Sequence, residues 1–154
     1  TRSSWRSTPR VHLQGHLDST QVTSKRVFTN GCFDILHLGH IELLAYCSTL
    51  GRVTVGLNSD SSVRRLKGDS RPVKNQNERK RLLEACRYVD EVVVFEEDTP
   101  IDLIKALNPD IIVKGGDYLA EDIIGREYAE VRLFRFVDGY STTRTIEKIN
   151  SERH

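Results

Sequence analysis

The sequence predicts an α/β fold, a Rossmann-like, doubly wound parallel sheet of five strands with helices on both faces. Two observations carry this prediction. Short apolar runs alternate with helical segments five times from residue 26 onward, and two of these runs, RVTVGLN and EVVVF, have the continuous apolar character of strands buried on both faces. Because such sheets bind ligands beyond the carboxyl ends of their strands, the residues after Asn30, Leu57, Val113 and Phe136 become the candidates for function.

The first part of the chain alternates two strands with two helices. Residues 26–30 form a short β-prone run, and the apolar repeat that begins near Gly39 predicts the helix after it. Residues 52–58 form the second strand, after which Ser59 or Asp60 can cap the second helix. Each strand is thus followed by a helix, as a right-handed crossover requires.

The remaining segments continue this alternation. A third helix is expected to start near Gln76, with Leu82, Leu83 and Ala85 on one face, before the strand EVVVF at 91–95. The last predicted elements are a helix within 99–110, a strand at 110–116, a weak helix at 123–129, a strand at 131–136 and a final helix from about Thr143.

Composition predicts one domain, residues 25–154, behind an N-terminal arm or linker at 1–24. The 154-residue chain is 38% hydrophobic and 29% charged, which excludes disordered and fibrous classes, and no apolar run approaches the roughly 18 residues of a membrane span. Cys32, Cys47 and Cys86 form no CxxC pair and indicate free thiols in a reducing cytoplasm. The sequence contains no Met, so we expect its first residue to be a processed or engineered boundary.

The net charge of +1 hides an uneven distribution. Between Arg64 and Arg81, eight basic residues accompany two acidic ones, whereas Glu84–Asp110 holds eight acidic residues and two basic ones. The balanced total argues against a general nucleic-acid binder. The basic run suits one compact polyanion, provided that it lies beside a phosphate-binding turn and the acidic run lies away from it.

The strongest local signal is FTNGCFDILHLGH at 28–40. His37 and His40 are three residues apart at the start of a helix, beside backbone N–H groups that have no partner within the helix. Gly31 permits a tight turn after the strand, and Gly39 permits close approach of a polyanion to the backbone. The segment therefore predicts an anion site. An alternative is a metal site formed by these two histidines with Asp34 and Cys32.

Further motifs, taken in order, carry a resemblance that covers nearly all of residues 26–149. The motifs are TNGCFDILHLGH, NSD at 58–60, RLKGDSRPV at 65–73, Arg79, FEEDTP at 95–100, KGGDY at 114–118 and DGYSTTRTI at 138–146. With these motifs the sequence resembles the HxGH nucleotidylyltransferases, the cytidylyltransferase-like superfamily; its wording is closest to that of heptose 1-phosphate adenylyltransferases and similar to that of glycerol-3-phosphate cytidylyltransferases.

This resemblance implies transfer of a nucleoside monophosphate from CTP or ATP to a phosphate or phosphonate oxygen of a small hydroxylated acceptor. Pyrophosphate would leave by direct in-line displacement, with Mg²⁺ held by the triphosphate and no metal ligand among the side chains. The candidate acceptors are heptose 1-phosphate, glycerol 3-phosphate and a hydroxyalkylphosphonate such as 2-hydroxyethylphosphonate.

The resemblance also implies three groups of site residues. The catalytic residues would be His37, His40, Lys67 and Arg144. The nucleotide-binding residues would be Thr29, Asn30, Gly31, Cys32, Phe33, Gly39, Asn58, Asp60, Lys114, Ser141, Thr142 and Thr143. The acceptor-binding residues would be Asp34, Arg71, Arg79 and Asp117. For Asp34, two further roles stay open, to orient a histidine or to satisfy the turn.

The expected partners are therefore the nucleotide and the acceptor, with no nucleic acid and no membrane. By the same resemblance we expect a cytoplasmic homodimer, and the chain could be one domain of a larger bifunctional enzyme. A second hypothesis is a nucleotide-binding regulatory module that keeps the fold without turnover.

Overall fold

The computed structural model describes residues 25–116, 119–135 and 142–152 and contains a parallel sheet whose strands match the predicted runs closely. In the described residues the strands are β1 (Arg26–Gly31), β2 (Arg52–Asn58), β3 (Glu91–Phe95), β4 (Ile111–Gly115) and β5 (Glu130–Phe134). The α-helices are α1 (Leu38–Leu50), α2 (Asp60–Lys67), α3 (Gln76–Glu84), α4 (Ile101–Leu107) and α5 (Thr142–Ser151), with a short 3₁₀ helix at Ala120–Asp122.

The strand order is β3-β2-β1-β4-β5, and every pairing is parallel. β1 pairs with β2 along its whole length, from Arg26 with Arg52 to Gly31 with Leu57, but with β4 at Val27 and Phe28 alone. The winding therefore reverses between β1 and β4, and the strands separate there toward their carboxyl ends. In a doubly wound sheet this is where a ligand cleft forms. The Rossmann-like class predicted from the sequence is confirmed.

The sheet buries a separate apolar cluster on each face. Val27 and Val53 pack with Leu43 and Leu44 of α1 and with Leu83 of α3 on one face. Phe28 and Ile112 pack with Ile104 of α4 and with Ile123 on the other. Successive residues of β1, Val27 and Phe28, thus belong to opposite clusters, because successive strand side chains point to opposite faces. This rigid double-sided core fixes the strand ends that carry the site.

Helix boundaries follow from local chemistry. Ser59 caps α2, where its hydroxyl accepts a hydrogen bond from the Ser62 amide at 3.1 Å, and Asn75 caps α3 by accepting from the Glu78 amide at 2.9 Å. Pro100 immediately precedes α4. No helix among the described residues is both long and apolar enough to cross a membrane.

The predicted helix at 123–129 is wrong. Gly125 has a φ of +95°, and a Cβ there would lie 2.7 Å from Cδ1 of Ile104 and 2.9 Å from Cδ1 of Ile112. The chain therefore turns against the core at this point, with the Tyr128 amide donating to the Gly125 carbonyl at 2.8 Å, instead of continuing a helix. The short 3₁₀ helix ends at Asp122, before the predicted start.

The apolar face predicted for the third helix is also too broad. Leu83 is fully buried, but Leu82 is 39% exposed and Ala85 lies at the exposed C-cap. The predicted arm at 1–24 lies outside the described residues, so it stays a prediction.

Candidate active site

A cleft of about 460 Å³ opens where β1 and β4 separate. It receives residues from the β1–α1 turn, the end of β2, the end of α2 and the segments after β3 and β4. Its lining consists of Asn30, Gly31, Cys32, Phe33, Asp34, His37, His40, Asn58, Leu66, Lys67, Arg71, Asp98, Thr99, Pro100, Lys114, Asp122, Ile123, Ile124 and Thr143.

The two histidines lie together at the N-terminus of α1. His37 is the N-cap residue, and its ring stacks on that of His40 with a centroid distance of 3.7 Å and an interplanar angle of 22°. The Phe33 ring lies against His40, with a centroid distance of 4.9 Å and an interplanar angle of 51°. Since the first amides of a helix attract anions, the stacked pair and these amides are placed to bind the same anion.

Hydrogen bonding fixes the tautomer of His40. The backbone amide of His37 donates to Nδ1 of His40 at 3.3 Å, so Nδ1 is unprotonated and the neutral ring carries its proton on Nε2. Burial, reinforced by the neighbouring His37, lowers the pKa of His40 to about 3. His40 is therefore a neutral imidazole near pH 7 and acts as a hydrogen-bond donor through Nε2.

Burial likewise lowers the pKa of His37. Its Nδ1 atom is buried and has no hydrogen-bond partner among the described residues. In the absence of a bound anion, the stacked pair is consequently neutral at pH 7, and the positive charge of the cleft comes from other residues.

Three cationic side chains line the cleft. Lys67 lies exposed at the last residue of α2, and Arg71 donates from Nη2 to the Thr143 hydroxyl of α5 at 3.2 Å. Lys114 lies at the end of β4, where its Nζ donates to the Asn30 carbonyl at 3.3 Å. Burial lowers the pKa of Lys114. A polyanion in the cleft would thus meet cations from three different elements.

Asp34 ties the β1–α1 turn to the segment that carries Arg71. Asp34 is 3% exposed. Its carboxylate accepts hydrogen bonds from the amide of Val73 at 2.8 and 2.9 Å and from the amide of Lys74 at 2.9 Å. The sequence leaves two further roles open for Asp34, to orient a histidine or to satisfy its own turn. The observed hydrogen bonds match neither role, because they join Asp34 to a distant segment of the chain.

Arg79 lies behind the cleft, outside its lining. The residue is 1% exposed, and its guanidinium donates to Asp60 and to three backbone carbonyls. Asp60, which pairs with Arg79 at 2.8 Å, also lies outside the lining, so the assignments of Arg79 to the acceptor and of Asp60 to the nucleotide stay predictions.

The structure brings most of the predicted residues together. Lining the cleft are His37, His40, Lys67, Asn30, Gly31, Cys32, Phe33, Asn58, Lys114, Thr143, Asp34 and Arg71. Outside its lining are Thr29, which is buried in β1, Gly39, which is buried in α1, Arg144, which is exposed on α5, and the pair Asp60 and Arg79. Asp117, Ser141 and the side chain of Thr142 lie outside the described residues.

The sequence interpretation missed the residues after β3. Asp98, Thr99 and Pro100 line the cleft, and the rule that directed attention to the ends of the other strands applies equally to this one. Their motif, FEEDTP, contributed to the family resemblance, but no site role was predicted for its residues. Leu66 and the segment 122–124 also line the cleft, but no sequence signal distinguished them.

The metal-site alternative finds no support in the described geometry. Within residues 25–116, 119–135 and 142–152, no group of three or more His, Cys, Asp or Glu side chains is placed to hold a metal ion. Asp34 is committed to two backbone amides instead.

Comparisons with known proteins agree with this geometry. A family model described as cytidylyltransferase-like matches residues 28–151. The chain is 60% identical over 127 residues to a bifunctional protein HldE of Helicobacter pylori (strain Shi470), covering 81% of this chain and 27% of that protein. It is 50% identical over 158 residues to the bifunctional protein HldE of Sulfurimonas denitrificans, covering 97% and 33%. The chain thus spans about a third or less of the length of these curated relatives.

Two solved structures share the fold. A lipopolysaccharide core biosynthesis protein from Thermoplasma volcanium matches with a TM-score of 0.62 and 29% identity, covering 76% of this chain and 98% of that one. A pantothenate synthetase from Thermus thermophilus matches with a TM-score of 0.55 and 16% identity, covering 90% and 68%, and this likeness concerns the fold alone.

Proposed function

The chain belongs to the cytidylyltransferase-like family and is a nucleotidyltransferase, and from this premise we propose that it transfers a nucleoside monophosphate to a small phosphorylated acceptor with release of pyrophosphate. The observation that supports the proposal best is the cleft at the β1/β4 switch point, where the stacked His37 and His40 lie among Lys67, Arg71 and Lys114. This arrangement suits a triphosphate, because it combines helix N–H groups, histidine donors and three cations.

The chemistry needs positioning and charge stabilisation. An acceptor phosphate oxygen is already anionic, so it attacks the α-phosphorus without a general base, and the bond to pyrophosphate breaks opposite the bond that forms. Neutral His40 donates from Nε2 to a phosphate oxygen, and His37 assists from the helix N-cap. Bound phosphate favours protonation of the His37 ring, since a nearby negative charge raises a histidine pKa.

Lys67 is proposed to contact the phosphates whose charge grows as pyrophosphate leaves. Its position at the exposed end of α2 allows the ammonium group to move with the departing charge. Arg71, from the segment between α2 and α3, and Lys114, from β4, are proposed to hold the remaining phosphate oxygens. Mg²⁺ is proposed to arrive with the triphosphate and to neutralise part of its charge, which fits a site whose described carboxylates are not grouped for a metal.

ATP and heptose 1-phosphate are the substrate pair that we propose first. The support is the wording of the motifs, which is closest to that of heptose 1-phosphate adenylyltransferases, together with the 50% to 60% identity to proteins named HldE. CTP with glycerol 3-phosphate or 2-hydroxyethylphosphonate forms the comparison set. We further propose that the chain works as one domain of a bifunctional enzyme, since those relatives are named bifunctional and extend well beyond the matched region. A cytoplasmic location and a homodimer are part of the same proposal.

The decisive experiment incubates the protein with ATP or CTP and each acceptor, and follows pyrophosphate release and the product by ³¹P NMR. We expect turnover with ATP and heptose 1-phosphate, and a loss of turnover in His37→Ala and His40→Ala. Arg64→Ala, an exposed change on the same helix as Lys67, is the matched control. Saturable nucleotide binding without turnover with any acceptor would instead favour the non-catalytic regulatory module.

A further inference from the structure

Arg79 is a fully buried cation with an unusual set of partners. Its Nη1 donates to the carbonyl oxygens of Cys32 and Asn58, both at 2.8 Å. Its Nε donates to the Lys74 carbonyl at 2.9 Å, and its Nη2 forms a 2.8 Å ion pair with Asp60. A guanidinium has five N–H donors, so four of them are committed to acceptors within the protein.

The four partners belong to four different segments around the cleft. Cys32 lies in the β1–α1 turn and Asn58 ends β2, and both line the cleft. Asp60 begins α2, the helix that ends in Lys67. Lys74 lies in the segment between α2 and α3. Arg79 therefore joins these four segments to one another, and two of its partners, Cys32 and Asn58, line the cleft.

The segment between α2 and α3 is held from two directions. Arg79 binds the carbonyl of Lys74, while Asp34 binds the amides of Val73 and Lys74. Arg71, which lines the cleft and reaches Thr143, lies only two residues before this double attachment. The position of Arg71 over the cleft thus depends on contacts made behind it.

We propose that Arg79 is a positioning residue, which holds the β1–α1 turn, the end of β2, the start of α2 and the Arg71 segment in register, and that it does not bind the acceptor phosphate. To contact a phosphate, it would have to give up its hydrogen bonds to the carbonyls of Cys32, Asn58 and Lys74, which costs free energy. Lysine cannot replace Arg79, since one ammonium group cannot reach the four acceptors that the planar guanidinium reaches. The proposal deepens the proposed function, on which only its kinetic test rests.

The first test needs no turnover. Hydrogen exchange of the Val73 and Lys74 amides is measured by NMR in wild type, in Arg79→Lys and in the control Arg81→Lys, an exposed arginine of the same helix. We expect exchange of these amides to rise at least about tenfold in Arg79→Lys alone, as local opening becomes easier. If Arg79→Lys does not fold, Asp60→Asn removes the ion pair while keeping its size and is expected to have the same effect. Unchanged exchange in the folded variant overturns the proposal.

The second test separates positioning from phosphate contact. In Arg79→Lys we expect kcat to fall on the order of 100-fold, because small misplacements of reacting groups are costly, while KM for the acceptor stays close to wild type. Asp60→Asn is expected to lower kcat in the same way, and the double variant to fall no further than the more severe single one. A raised acceptor KM with unchanged kcat and additive effects would mark Arg79 as a phosphate ligand. Absence of turnover in wild type would refute the proposed function but leave the exchange result valid.

Discussion

Protonation of His40 should couple the stability of the folded chain to pH. Its pKa falls from 6.5 to about 3 on folding, chiefly because the ring is buried and secondly because His37 stacks on it. The unfolded state therefore binds a proton at a pH where the folded state does not. Stability from this group is fully present above about pH 6.5 and declines as the pH falls toward 3.

The size of the effect follows from the pKa difference. A pH of about 5 lies roughly 1.5 units below the pKa of the unfolded histidine, which is therefore protonated, whereas the folded histidine stays neutral. The free energy of unfolding is consequently about 2 kcal/mol lower than at neutral pH. The matched variant is His40→Asn. Its Oδ1 can accept the His37 amide in place of Nδ1 but does not titrate in this range.

Urea unfolding of both proteins between about pH 5 and about pH 8 measures this linkage. The free energy of unfolding of wild type minus that of His40→Asn should fall by about 2 kcal/mol as the pH is lowered from about 8 to about 5, while the contribution of His37, present in both proteins, largely cancels. A pH-independent difference between the two proteins would show that His40 titrates normally. The neutral Nε2-protonated tautomer, and the role built on it, would then be wrong.

Three other changes have direct expectations. Lys67→Ala should lower kcat/KM on the order of 100-fold while the free energy of unfolding stays within about 0.5 kcal/mol, as in the Arg64→Ala control; equal activity in the two variants would remove Lys67 from the mechanism. Ser59→Ala should lower the unfolding free energy by about 1 kcal/mol, measured in urea, since it removes the cap of α2. Gly125→Ala should lower it by about 2 kcal/mol, because the new methyl lies 2.7 Å from Ile104 at a φ of +95°, and an unchanged midpoint would show that this turn is tolerant.

Sequence reasoning succeeded where a local pattern decides the structure. The run at 52–58 and the run EVVVF became strands with the predicted bounds, since buried parallel strands leave a continuous apolar signature. It failed at 123–129, where a close approach of Gly125 to two isoleucines of other elements ends any helix. That contact joins residues far apart in the chain, so no window of sequence contains it.

The site shows the same division. His37, His40 and Lys67 line the cleft as expected, because the start of α1 fixes the two histidines and the end of α2 fixes Lys67. The surroundings of Arg79 could not be predicted, since a buried guanidinium and a phosphate-binding one look alike in sequence. Only the convergence of distant carbonyls on Arg79 reveals its surroundings.

The basic run 64–81 and the acidic run 84–110 are poor guides to the position of the cleft. Only Lys67 and Arg71 of the basic run 64–81 line the cleft, while Arg65 and Arg79 pair with Asp98 and Asp60. The acidic run does not lie away from the ligand edge as expected, because Asp98 itself lines the cleft. The ion pair between Arg65 and Asp98, at 2.8 Å, offsets that carboxylate beside the site. With both histidines neutral in the unbound protein, attraction of a polyanion depends on Lys67, Arg71 and Lys114, and the last of these comes from outside the basic run altogether.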